Sequence, residues 1–228
     1  MKTFKSKYTN TCTTCGKRIE IGEMIAFVSS KQIYHFNCQP GIENLYNETD
    51  EDGYMFVDLE TGGLDPKNCA IVQIAAIATD KNFLIHDSWS RLIRPGQFQT
   101  IGERSIEIHG LTRERLKNEE YEAVVLPEFL SFCRLFPNHR FAGYNCPFDL
   151  KFLEAAYDRN HLDGNAYLLP AHDLLTRARA KLAKADLPNH QLSTIAEHFG
   201  FSASAAHDAL ADLYLTVQIA RNTERVAA

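Results

Sequence analysis

Two carboxylates separated by one residue, Asp58 and Glu60, end an apolar run that begins at Tyr54. Because side chains alternate between the faces of a strand, both carboxylates are expected on the same face. Two acids on one half-buried face repel each other and raise each other's pKa, and a bound cation relieves that repulsion. The pair therefore indicates a cation site or, more simply, two surface acids where a strand reaches solvent.

A further acid, Asp149, follows a strand predicted over residues 140–144 and lies in the first turn of a helix predicted over 148–157. We expect Asn145 to be the N-cap of this helix, and Pro147 is tolerated in its first turn. The helix dipole alone stabilises an acid at such a position. Asp149 is therefore explained either by its place in the helix or by a functional site.

The third group is His207 with Asp212, five residues apart near the end of the chain. At about 100° per residue these side chains would lie roughly 140° apart on one helix, too far to face a single ion. We therefore predict that His207 belongs to the loop before the last helix, where it can reach the same site as Asp212. A lone histidine in a loop can also simply be solvated.

Taken in order, these groups resemble the three motifs of the DEDDh, or DnaQ-like, exonucleases, with the resemblance running from about residue 54 to 222. Shorter matches at residues 108–112, 173–179 and 192–200 accompany it. The resemblance implies a ribonuclease H-like fold and 3'-to-5' hydrolysis of phosphodiester bonds at DNA or RNA 3' ends, releasing nucleoside 5'-monophosphates.

The resemblance also implies that two Mg²⁺ or Mn²⁺ ions are held by the acids Asp58, Glu60, Asp149 and Asp212. His207 would be the general base. The chemistry agrees, since oxygen ligands suit hard divalent ions, and two such ions can activate a water and stabilise the leaving oxygen. An imidazole with a pKa near 6.5 is suited to take up the proton of that water.

The same resemblance assigns substrate contacts to Thr61, Leu64, Asn145 and Phe148. For Leu64 and Phe148, core packing is the alternative. The chain departs from the common family pattern at Gly62, where a threonine is usual, and in Tyr144 and Cys146, which flank Asn145 where histidine and alanine are common. None of these positions is a predicted metal ligand, so the departures bear on substrate choice.

The first 40 residues carry a second metal motif, Cys12, Cys15, His35 and Cys38. Two pairs with this spacing are typical of a tetrahedral Zn²⁺ site and resemble the first half of a LIM domain. Since about 40 residues rarely bury a sufficient core, one structural Zn²⁺ would stabilise this module, with a hairpin between the pairs. Free surface thiols are the alternative.

Charge is unevenly distributed along the chain. The net charge of −5 argues against coating nucleic acid through bulk electrostatics. Residues 1–40 carry six basic and two acidic side chains, a net +4, whereas residues 41–53 carry five acids and no base. We therefore predict a zinc-binding module at 1–40, an acidic linker at 41–53 and an exonuclease domain at 54–228.

Within the third region, strands are predicted at residues 70–79 and 83–94, joined by a turn at 80–82. Helices are predicted at residues 127–136, 148–157, 174–182 and 192–199, and in a last segment ending near Arg221. This order predicts an α/β domain with a mixed sheet whose first strands are antiparallel. No apolar run approaches the roughly 18 residues of a membrane span, and we expect a cytoplasmic protein.

These observations predict a metal-dependent 3'-to-5' exonuclease whose zinc module recruits it to nucleic acid or to a protein partner. The rival hypothesis is an adaptor that binds nucleic-acid ends or a partner without cutting, but this predicts a damaged acidic set. A free-standing proofreader is a third hypothesis and requires a polymerase-binding surface. The sequence leaves DNA and RNA both open as substrates.

Overall fold

The structure is a computed structural model that describes residues 2–5, 9–13, 17–19, 24–29, 32–35, 52–164, 172–202 and 208–225. The chain forms two compact units, Met1–Asp50 and Glu51–Ala228. Most of the predicted linker, residues 41–51, lies outside the described residues.

The first unit contains five short strands: β1 (Lys2–Lys5), β2 (Asn10–Thr11), β3 (Arg18–Ile19), β4 (Met24–Ser29) and β5 (Gln32–His35). Strand β4 pairs antiparallel with β1 and with β5, and β2 pairs antiparallel with β3. The hairpin predicted between the two ligand pairs is thus confirmed as β4 and β5.

The second unit is built on a five-stranded sheet: β6 (Gly53–Thr61), β7 (Ile71–Asp80), β8 (Ile85–Leu92), β9 (Arg140–Gly143) and β10 (His172–Asp173). The strand order is β10-β9-β6-β7-β8. The first three strands are antiparallel, whereas β9 and β10 are parallel to β6. This confirms the predicted α/β mixed sheet.

Seven described helices flank the sheet: α1 (Glu103–His109), α2 (Arg113–Leu116), α3 (Glu122–Arg134), α4 (Cys146–Arg159), α5 (Leu174–Lys181), α6 (Leu192–His198) and α7 (Ala209–Arg225). The prediction that a helix starts at Pro127 was wrong. Helix α3 begins at Glu122 and accommodates Pro127 inside it, although a proline there cannot donate a backbone hydrogen bond.

The packing of α7 decides which face of the sheet carries the site. Phe56 and Ile77 share a buried cluster with Leu213 and Val217 of α7. Because side chains at every second position of a strand share a face, Asp58 and Glu60 lie on the same face as Phe56. On β8, Trp89 instead contacts Phe129 and Phe132 of α3.

None of the helices in the described ranges has the length and apolar character required to span a membrane.

Candidate metal and nucleotide site

Three carboxylates meet where the end of β6 faces the first turns of α7. One oxygen from each of Asp58, Glu60 and Asp212 lies within 4.8 Å of the other two. The strand supplies two of these acids because they are two residues apart, and α7 supplies the third because it packs on that face. Carboxylate oxygens at this spacing can share one divalent cation.

Asp149 lies near Asp58 and Glu60 and is only 3% exposed. Its Oδ1 accepts a hydrogen bond from the backbone N–H of Leu59, which lies between Asp58 and Glu60, at 3.2 Å. Strand β9 runs parallel to β6 and leads directly into α4, so the first turn of that helix reaches the end of β6. The four predicted acidic ligands therefore come from one strand and two helices.

The surroundings of Asp58, Glu60 and Asp149 favour their neutral forms. Burial and the neighbouring charges of Asp212 and Asp208 raise the pKa of Glu60 to about 7. Burial, followed by the charges of Asp149 and Glu60, raises the pKa of Asp58 well above its ordinary value. Burial also raises the pKa of Asp149. A bound cation would reverse these shifts because it stabilises the ionised carboxylates.

The start of α7 is fixed by Asp208. Its Oδ1 accepts from the N–H of Ala211 at 3.0 Å, and its backbone carbonyl accepts from the N–H of Asp212 at 2.9 Å. An aspartate that caps a helix in this way fixes the first turn. His207, the predicted general base, lies outside the described residues.

A pocket of about 390 Å³ opens beside Glu60. Three of the four predicted substrate contacts, Thr61, Leu64 and Phe148, line it, whereas Asn145 is not among its lining residues. Leu64 is 86% exposed, so core packing does not explain it. Phe148 is half-buried and its ring lies 5.0 Å from that of Phe152, so this side chain serves both the pocket and the packing of α4.

The pocket wall at Thr61 is held by His109, which is 8% exposed. The imidazole Nδ1 accepts from the N–H of Leu111 at 3.0 Å, which leaves Nε2 to donate to the carbonyl of Thr61 at 3.2 Å. The hydroxyl of Thr61 donates to the carbonyl of Gly63 at 2.8 Å. The only sequence signal for His109 is its place in the short match at residues 108–112.

Asn145 is the N-cap residue of α4, as predicted, but its side chain does not supply the cap. Asn145 has a left-handed backbone, with φ of 69°, and its side chain makes no capping hydrogen bond. Instead, Oδ1 of Asp173 accepts from the N–H groups of Asn145 and Cys146 at 2.8 and 3.1 Å. Asp173 also accepts from the N–H of Thr176 at 3.2 Å, so it caps α5 as well. A cap contributed from 28 positions away in the sequence cannot be found from local spacing.

Of the predicted zinc ligands, Cys12 is described and buried. Its N–H donates to the carbonyl of Lys17 at 2.8 Å, and the N–H of Thr13 donates to the carbonyl of Ile33 at 2.9 Å. Cys12 therefore lies next to β5, whose last residue is His35. Cys15 and Cys38 lie outside the described residues.

The fold and the acidic cluster agree with comparisons to known proteins. The model of the RNase_T family, described as exonuclease, matches residues 55–220. The chain belongs to this exonuclease family. The match covers both the strand that carries Asp58 and the helix that carries Asp212, and the DnaQ-like resemblance read from the sequence is confirmed.

Two relatives in the exonuclease family are DNA polymerase III proteins. The chain is 31% identical over 166 residues to the DNA polymerase III subunit epsilon of Aquifex aeolicus, covering 73% of this chain and 77% of that protein. It is 32% identical over 185 residues to the PolC-type DNA polymerase III of Thermotoga petrophila, covering 80% of this chain. That match spans only 13% of the PolC-type protein.

Solved structures of E. coli exonuclease I are also similar. One, in complex with a dT13 oligonucleotide, has a TM-score of 0.70 and 26% sequence identity, covering 77% of this chain and 42% of that chain. Another, of an E. coli ExoI–ssDNA complex with bound zinc ion, has a TM-score of 0.69 and 26% identity, covering 77% of this chain and 41% of that one.

Proposed function

We propose that this chain is a two-metal-ion 3'-to-5' exonuclease that acts on single-stranded DNA ends. The observation that carries the proposal is the meeting of Asp58, Glu60 and Asp212 within 4.8 Å, beside the buried Asp149 and the 390 Å³ pocket. Membership of the exonuclease family supports the activity, and the oligonucleotide complexes of exonuclease I support the choice of single-stranded DNA.

The four acids would hold two Mg²⁺ or Mn²⁺ ions, because clustered carboxylates need countercharge, and burial and mutual repulsion raise the pKa of Asp58, Glu60 and Asp149. When bound, such ions supply electrostatic stabilisation of the attacking and leaving oxygens. Thr61, Leu64 and Phe148 would hold the terminal nucleotide, since they line the pocket next to Glu60. His207 would take the proton of the attacking water, an assignment that rests on the sequence alone.

The N-terminal unit would bind one structural Zn²⁺ through Cys12, Cys15, His35 and Cys38 and recruit the enzyme to nucleic acid or a protein partner. The closeness of Cys12 to the strand that ends at His35 supports this proposal. This metal is chemically distinct from the catalytic pair, because thiolates select zinc whereas carboxylates select Mg²⁺ or Mn²⁺.

The test compares the full chain with Asp58→Asn on a 3'-labelled single strand of DNA, following Mg²⁺-dependent release of mononucleotides. We expect a loss of activity on the order of 100-fold or more, because Asn cannot supply the ligand charge. Asp158→Asn is the control, since Asp158 is an exposed acid on α4, the helix that also carries Asp149. Equal rates for the wild type and Asp58→Asn would contradict the proposal.

The same assay separates the rival functions. Binding of DNA ends without release of nucleotides by the wild type would favour the adaptor. Parallel reactions with single-stranded RNA, double-stranded DNA and double-stranded RNA decide the substrate class, and faster release from RNA would contradict the choice of DNA. A 5'-labelled strand that shortens one nucleotide at a time establishes the 3'-to-5' direction.

A further inference from the structure

Gln73 is the one polar residue in the segment 71–78 of β7. Its side chain is buried, with 5% of the residue exposed. In the antiparallel register Gln73 lies directly opposite Glu60. Directly opposed residues of two strands point to the same face of the sheet, so the amide of Gln73 lies beside the acidic cluster.

Both ends of this amide contact the N-terminus of α7. Nε2 donates to Oδ2 of Asp208 at 3.0 Å, and Oε1 accepts from the backbone N–H of Ala209 at 3.3 Å. Asp208 in turn fixes the first turn of the helix through its bonds to Ala211 and Asp212. A short series of hydrogen bonds therefore joins the strand opposite Glu60 to the residue that carries the third carboxylate.

An amide is well suited to this position. Asp208 adds another negative charge near Glu60 and Asp58, so the start of α7 needs a partner that holds it against repulsion. A lysine or arginine would hold Asp208 but would also pair with the metal-binding acids. A neutral amide donates and accepts hydrogen bonds without competing with a divalent cation for the carboxylates.

We propose that Gln73 is a positioning residue that fixes the N-terminus of α7, so that Asp212 meets Asp58 and Glu60 at metal-binding distance. The inference rests on the proposed function in one respect, namely that the three carboxylates bind divalent metal. Gln73 itself would contact neither metal nor substrate, but it would determine how well the carboxylates are positioned before metal binds.

The experiment is calorimetric titration of the full chain with Mn²⁺, in which the carboxylate site is the binding that Asp58→Asn loses. Gln73→Met removes both hydrogen bonds to the start of α7, and a longer one of 3.4 Å from Nε2 to the hydroxyl of Ser90 on β8, with little change in volume. We expect it to weaken Mn²⁺ binding by about 10-fold to 100-fold, the usual effect of losing a residue that orients metal ligands. The Mg²⁺ concentration for half-maximal nuclease activity should rise similarly, with kcat at saturating Mg²⁺ largely retained.

The matched control is Gln99→Met. Gln99 also donates its amide to a carboxylate, that of Glu122, at 2.8 Å, but Glu122 is not one of the clustered acids. We expect this variant to lose stability without a change in Mn²⁺ affinity. Unchanged Mn²⁺ affinity in Gln73→Met, or an equal loss in Gln99→Met, would overturn the proposal.

If Gln73→Met does not fold, Asp208→Ala tests the same proposal, because Asp208 is exposed and its truncation leaves no cavity. It should weaken Mn²⁺ binding in the same direction, and where both variants fold, the double variant should lose less than the sum of the two. Unchanged affinity in Asp208→Ala or full additivity would count against the proposal. A wild type that binds Mn²⁺ but releases no nucleotides contradicts the proposed nuclease and leaves this test of Gln73 intact.

Discussion

Ionisation of the acidic side chains in the candidate site is unfavourable without a bound cation. Glu60 is 9% exposed and Asp149 is 3% exposed. In the metal-free protein these carboxylates retain protons to higher pH than they would in an unfolded chain, because burial and mutual repulsion oppose ionisation. The clustered acids therefore lower the folding stability of the metal-free protein, and metal binding restores it.

This predicts a pH dependence for the metal-free protein. The pKa of Glu60 is raised to about 7 in the folded state from 4.5. The unfolded chain therefore ionises first, and the free energy of unfolding falls as the pH rises from about 5 to 8. Glu60→Gln removes the contribution of Glu60 to this pH dependence and should raise the free energy of unfolding at pH 8 by about 1–3 kcal/mol relative to wild type.

Urea unfolding at several pH values in buffer free of divalent ions measures this effect. Glu154→Gln, a change at an exposed acid of α4, serves as the control and should keep the wild-type pH dependence. Since Asp58 and Asp149 shift in the same direction as Glu60, the variant reduces the slope without abolishing it. An identical slope for Glu60→Gln and wild type would contradict the prediction.

At the scale of elements, the connection between β6 and β7 forms one wall of the pocket beside Glu60 and is held from two sides. Residues 100–102 pair with it, through bonds from Ala70 N–H to the carbonyl of Thr100 at 3.0 Å and from Gly102 N–H to the carbonyl of Gly62 at 2.8 Å. On another side, Arg159 donates to the carbonyl of Pro66 at 3.0 Å and pairs with the buried Glu122.

This packing explains why glycine occupies position 62. A Cβ added to Gly62 would lie 2.1 Å from the backbone carbonyl oxygen of Thr100. Any larger side chain must therefore displace the segment that pairs with the pocket wall. We expect Gly62→Ala to lower the free energy of unfolding by about 1–3 kcal/mol and to raise KM for the oligonucleotide.

Denaturant unfolding together with steady-state kinetics tests this prediction. Gly102→Ala is the matched control, because its new Cβ would lie 3.4 Å from the carbonyl oxygen of Gly62, an ordinary contact. It should change stability by less than about 0.5 kcal/mol. If Gly62→Ala is as stable as Gly102→Ala, the close approach does not restrict this position.

The strands and helices of the exonuclease fold could be predicted from the sequence where the signal was local. Alternation along β6 placed Asp58 and Glu60 on one face, and apolar periodicity found four of the five strands of the exonuclease sheet and five of the seven described helices. The short elements β10, α1 and α2 were missed. The caps could not be predicted in this way, because Asp173 reaches α4 across 28 positions and Gln73 reaches α7 across 135. The signal for Gln73 was present, since one amide interrupts an apolar strand, but its partner becomes apparent only once the sheet and α7 are packed.

At the scale of the whole molecule, we propose a different kind of metal site in each of the two compact units. The carboxylate cluster lies in residues 51–228, which form the exonuclease fold, and Cys12 lies in residues 1–50. The N-terminal unit has short strands and few described buried apolar residues, Cys12 and Ile19 among them. A small unit of this kind usually needs a metal or another crosslink to be stable.

We therefore predict one tightly bound Zn²⁺ per chain, independent of the carboxylate site. Metal analysis of the purified full chain should find stoichiometric zinc, which Cys12→Ser loses because only three ligands remain. Cys133→Ser is the control: Cys133 is equally a buried cysteine, but it lies in α3 and should leave the zinc content unchanged. Asp58→Asn should also retain zinc while losing nuclease activity. Zinc in Cys12→Ser at the wild-type level would place the ion elsewhere and leave the N-terminal unit without its proposed stabilising metal.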